Sequence, residues 1–170
     1  MAVVIDIENN SDSEDVPEPS SMRCWLSAAL PPDMTDAEIC VQLVNETEMA
    51  SLNGQFRNKA TPTNVLSFPA ELPEDIDIPL LGDIAVCTQV VNRESAEQGK
   101  SANAHWAHIL VHGTLHLLGY DHIEDSDAER MEALETDIIT GLGFPPPYQL
   151  QQETKTDNAA SPNAAGNNHD

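Results

Sequence analysis

The stretch that most constrains this chain is 105-HWAHILVHGTLHLLGYDH-122. From Trp106 to Leu118 it is apolar apart from histidines, Gly113 and Thr114. The pattern predicts a helix over about 102–118. Gly119 sits where a left-handed residue is wanted beyond a helix end. On that helix His112 and His116 lie on one face, one turn above the other, about 6 Å apart along the axis. Residues 119–121 form a turn that brings His122 back toward them.

The resulting pattern is H-x3-H-x5-H. Two imidazoles one turn apart can grip a single ion, as in H-E-x-x-H hydrolases. Three neutral imidazoles suit zinc best, with other divalent first-row metals as the alternative. Structural zinc sites are normally closed by four protein ligands, often cysteines. No cysteine lies in the motif, although the fold can bring distant Cys87 to it. On ligand count an open site is favoured, one ion per chain, with a bound water whose pKa falls to about 7.

Spacing leaves a rival, since His108 and His112 are also four apart and His105 falls near the same face. The plain alternative is a set of ordinary histidines near a helix end, where the dipole favours them. Three at this spacing with a well-placed turn weigh against that. Gly113 stands where zinc peptidases carry the glutamate that acts as base, so the peptidase version of the site lacks its base. In a helix interior, Gly113 leaves room either for close backbone packing or for substrate.

The rest of the chain supplies strands and shorter helices. Ala2–Ile7, 37–44, 63–69 and 80–87 read as strands. Met22, Trp25, Leu26, Ala29 and Leu30 repeat at helical spacing, with Ser20 or Ser21 as cap and Pro31-Pro32 as stop. Asn45 and Glu48 resemble a capping box for a short helix through about Leu52, ended by Asn53-Gly54. A helix follows near 89–99. Ser126–Glu129 is a capping box for a last helix with Met131, Leu134, Ile138 and Ile139 on one face, ended by Gly141 and Gly143. The order is strand, helix, strand, helix, two strands, three helices. This predicts an α/β fold of α+β-like character: one domain over 1–150 with a small mixed sheet covered by helices. The metal site falls at a helix end and its following turn. Residues 8–20 read as an acidic solvated loop, and 151–170 as a disordered polar tail.

Charge limits the partners. The chain of 170 residues carries a formal charge of -22. Residues 8–20 hold five acids and no base, yet the body remains acidic without them. Such a surface opposes generic binding to nucleic acid and to anionic membranes. The bases outside the tail are Arg23, Arg57, Lys59, Arg93, Lys100 and Arg130. Three widely spaced cysteines without a C-x-x-C, no signal peptide and no membrane-length apolar run predict a cytoplasmic protein.

HGTLHLLGYDH resembles the signature of the YbeY family of bacterial rRNA-maturation endoribonucleases. The resemblance extends to LNGQFRNKATPTNVLSFP at 52–69, LLGDIAVC at 80–87, EQGK at 97–100, HWAHILVHG at 105–113 and the ALETDIITGLG helix. It covers roughly residues 2–150 in order. It implies a zinc-dependent, single-strand-specific endoribonuclease in which metal-bound water attacks a phosphodiester. It also implies action on ribosomal RNA at the 3′ end of the small-subunit RNA, with a role in ribosome quality control. His112, His116 and His122 match the family's metal ligands, and Arg57 its functional arginine, making Arg57 and His112 catalytic. Implied partners are ribosomal RNA, the small ribosomal subunit, a ribosomal protein and a ribosome-associated GTPase, with no membrane. Without the resemblance, Arg57 reads as one member of a surface ion pair. The rival functions are a metal hydrolase of another substrate and a non-enzymatic ribosome-assembly factor with a structural zinc.

Overall fold

The computed structural model describes residues 3–57, 61–73, 79–120 and 125–147, with the side chains of Arg57 and Asp125 left aside. The chain runs Val3–Asn9 (β1), Pro19–Ala28 (α1), Ala37–Val44 (β2), Glu46–Arg57 (α2), Val65–Pro69 (β3), Leu80–Cys87 (β4), Thr88–Glu97 (α3), Ala102–Leu117 (α4) and Asp125–Gly141 (α5). This is the element order read from the sequence. The proposed tail at 151–170 lies outside the described residues.

The strands form one mixed sheet in the order β1-β2-β4-β3. β1, β2 and β4 are parallel, and β3 runs antiparallel to β4 at the edge. Parallel neighbours need crossover connections, which α1 and the α2–β3 segment supply. Along β2, Ala37, Ile39, Val41 and Leu43 are buried while Glu38, Cys40 and Gln42 are less so, the period of two that a strand imposes. The sheet therefore has two dressed faces. Ile39, Val41, Ile84 and Val86 pack with α1, α4 and α5 in the larger core. Leu66, Ala85 and Cys87 pack with Met49 of α2 and Val90 of α3 in the smaller one.

α4 is the central helix because it is apolar nearly all round. From His105 to Leu117 only His108, His112 and His116 keep partial exposure. They form a single row at i, i+4 and i+8. The flank beside this row lies so close to the sheet that a Cβ on Gly113 would stand 3.2 Å from Val65 Cγ2 and 3.3 Å from Ile84 Cγ2. Ser67 Oγ donates to the Gly113 carbonyl at 2.8 Å, pinning the helix to β3. Of the two readings of Gly113, the structure selects close packing. Gly119, at φ +105°, closes α4 as expected. Its N–H reaches the His116 carbonyl and the Tyr120 N–H reaches the Leu115 carbonyl, both at 3.1 Å.

Three boundary expectations and one about the acidic segment are corrected. α1 starts at Pro19, which suits a first helical position, so Ser20 and Ser21 lie inside it and provide no cap. α2 runs through Asn53-Gly54 to Arg57. Asn53 is buried there and donates to the Thr61 carbonyl at 2.9 Å, so it ties down the following loop from within the helix. α5 begins at Asp125, which puts Ser126 in the first turn, not at the cap. The acidic segment is not merely solvated. Asp12 N–H donates to Asn45 Oδ1 at 2.9 Å and Asn92 Nδ2 to the Asp15 carbonyl at 2.9 Å, holding it against the α2 and α3 starts. Among the described residues, no helix is long and apolar enough to cross a membrane.

Candidate metal centre

The row on α4 decides which histidines meet. Nε2 of His112 and Nε2 of His116 face each other across 3.1 Å. A tetrahedral zinc with Zn–N of about 2.0–2.1 Å spaces its nitrogens about 3.3 Å apart. The pair is thus spaced to share one ion, and both rings are partly exposed. His108 faces elsewhere: its Nε2 lies 3.4 Å from Glu135 Oε2. The rival pair His108/His112 is therefore not the one brought tip to tip.

Glu135 comes from α5 and its side chain is fully buried. Its Oε2 stands 2.6 Å from His112 Nδ1 as well. Burial alone would push its carboxyl up, but the adjoining His108 and His112 rings outweigh burial and hold it well below the carboxylate range. Burial lowers the His108 pKa below 6.5, against the raising effect of Glu135. The carboxylate accepts from the Nδ1–H of His112. That leaves His112 with its lone pair on Nε2, the form a metal requires. Lys100, its own pKa lowered by burial, adds positive charge toward Glu94 and Glu135.

The other expected residues sort cleanly. His122 and Asp121 lie outside the described residues. Arg57 is the last residue of α2, and its side chain also lies outside them. Among the described residues, no three metal-ligating side chains converge. Cys87 is buried in the core on the opposite face of the sheet, beside Val90 and Leu66, and is not a fourth ligand. Trp106 is core, donating Nε1–H to Asn92 Oδ1 at 2.8 Å. Tyr120 packs against the larger core. Ser67 is spent on the Gly113 carbonyl.

Sequence reasoning missed Glu135. Its signal was present: Met131-x3-Glu135-x3-Ile139 puts an acid in the middle of the apolar stripe of α5. A carboxylate at such a position needs buried donors. Those donors are the histidines of α4.

The model of the family described as Endoribonuclease YbeY matches residues 6–143. The chain belongs to the YbeY family. Among its YbeY relatives is the Endoribonuclease YbeY of Pseudomonas putida, 52% identical over 153 residues, which covers 89% of this chain and 96% of that protein. The fold is similar to the solution structure of a protein from Thermotoga maritima. That match has a TM-score of 0.59 and 25% identity, and covers 94% of this chain and 99% of the other. The YbeY match spans every element that carries the α4 histidines and Glu135.

Proposed function

We propose that this YbeY-family chain is a single-strand-specific, zinc-dependent endoribonuclease. Its substrate is the 3′ end of small-subunit ribosomal RNA, which it matures in the cytoplasm while contributing to ribosome quality control. The observation that carries the reading is the 3.1 Å approach of His112 and His116 Nε2 on the central helix of a chain with this family's motifs. His112, His116 and His122 hold the metal. Zinc, when bound, supplies Lewis acidity that activates water near neutral pH and polarises a phosphoryl oxygen. Arg57 supplies fixed positive charge and a fork of donors for the scissile phosphate. Gly113 offers no side chain to act as a peptidase base, which favours a phosphodiester over a peptide bond.

The charge of -22 argues that affinity for RNA is supplied in part by a partner. The small ribosomal subunit fits that need, with a ribosomal protein or a ribosome-associated GTPase as the contact. The test is cleavage of precursor small-subunit RNA, naked and within isolated subunits, by zinc-loaded protein. Arg57→Ala is expected to lower cleavage about a hundredfold at unchanged zinc content. Equal cleavage by wild type, Arg57→Ala and His112→Ala would assign the activity to a contaminant.

A further inference from the structure

We propose that Glu135 is the positioning residue that selects which histidines bind the metal, presenting His112 and withholding His108. The assignment rests on the zinc site proposed above. α4 offers two overlapping i, i+4 pairs, His108/His112 and His112/His116, and helix geometry alone does not choose between them. A single oxygen of Glu135 makes the choice. It takes Nδ1 of His112 at 2.6 Å and Nε2 of His108 at 3.4 Å.

The consequences for the two rings are opposite. In His112 the engaged nitrogen is the inner one, so the proton sits on Nδ1 and the Nε2 lone pair points at His116. In His108 the nitrogen that faces the carboxylate is the outer one, the same atom that would have to reach an ion shared with His112. One carboxylate thereby fixes a tautomer at one ring and draws the ligating atom of the other to within 3.4 Å of its charge, away from His112. Its position makes the control rigid. Glu135 is fully buried, on a helix fixed by Met131 and Ile139 in the larger core. Carboxylate partners of ligating histidines orient the ring and strengthen it as a ligand.

The experiment measures zinc affinity of the full chain by competition with a chromogenic chelator, for wild type, Glu135→Gln, Glu135→Leu and His108→Phe. In parallel, nitrogen-15 NMR of the zinc-free chain reads the His112 tautomer. Glu135→Leu is expected to weaken zinc about 10–100-fold. Its His112 proton moves from Nδ1 toward Nε2 while the other histidines keep their wild-type signals, which separates the change from general loosening of the fold. Glu135→Gln, nearly the same shape and still able to accept, keeps the wild-type tautomer and weakens zinc less, which guards against misfolding of the leucine variant. His108→Phe keeps about one zinc per chain. Zinc affinity in Glu135→Leu within twofold of wild type, or a wild-type His112 protonated on Nε2, overturns this assignment and leaves the zinc site standing. A wild-type chain that binds no zinc overturns both.

Discussion

Two of the histidine–carboxylate pairs along α4, those of His105 and His112, lie about two turns apart and do different things. At His105 the carboxylate of Glu94 meets Nε2, the tip of the ring, at 3.0 Å. Glu94 also accepts from Asn64 Nδ2 at 3.2 Å, so this pair ties α4 to α3 and to the approach of β3. At His112 the carboxylate of Glu135 meets Nδ1, at the base of the ring, and the tip stays directed at His116. The environments differ too, since the Glu94 side chain is 28% exposed and that of Glu135 is 0%. A histidine paired with a carboxylate is therefore not in itself a mark of a site. What distinguishes the two is the nitrogen left over and the ring it faces.

The sharpest way to break this contrast is to delete one histidine of each kind. His116→Ala should take bound zinc from about one per chain to none, whereas His105→Ala should keep it, as read by elemental analysis. Zinc lost from His105→Ala would erase the distinction. Next comes stability of the zinc-free chain in urea. Glu135→Ala should cost about 2–3 kcal/mol, because it strips a buried charged acceptor from His112 and a close charge from His108. Glu94→Ala, nearer solvent, should cost about 0.5–1 kcal/mol. Equal losses would mean that burial does not separate the pairs.

Gly113→Ala tests how closely α4, which carries both pairs, sits on the sheet. The added methyl meets Val65, Ile84 and Ser67 at 3.2–3.3 Å. Overpacking by about 1–3 kcal/mol is offset by about 1 kcal/mol of helix propensity. A net loss of about 1 kcal/mol in urea is expected, and a gain would show that α4 can lift from β3.

The smallest effect is in pH. His108 has a folded pKa below 6.5, so its burial as a neutral ring stabilises the chain fully above 6.5 and less as pH falls below it. Glu135 has a folded pKa below 4.5, so its contribution is complete above 4.5 and is lost as pH falls toward the folded value. Melting temperature of the zinc-free chain should drop in those two stages on acidification. His108→Leu should flatten the upper stage, and an unaltered profile in that variant would put the titration elsewhere.

Much of this was legible in the sequence because alternation and turn chemistry are local. β2 and β4 fall on their predicted bounds, and Gly119 closes α4 as its backbone freedom requires. Helix starts were less legible. Pro19 opens α1 ahead of two serines that look like caps, and Gly54 does not stop α2 because Asn53 gains a buried partner. At the site, spacing named His112 and His116 but did not separate them from His108. α4 is buried nearly all round, so its pattern carries little information about which side faces what. The separation comes from α5, a helix distant in sequence, through an acid that periodicity alone reads as a break in an apolar stripe. The packed acidic segment was hidden for the same reason: its partners Asn45 and Asn92 are far away along the chain.

The glycine at 113 also restricts what the scaffold can become. Position 113 is where a zinc peptidase would carry its base, yet here it faces Val65, Ile84 and Ser67. A glutamate introduced there would have to displace these side chains before its carboxylate could reach an ion between His112 and His116. Conversion to peptide hydrolysis is thus closed to a single substitution. It would require remaking the contact between α4 and β3, and that contact holds the helix in place.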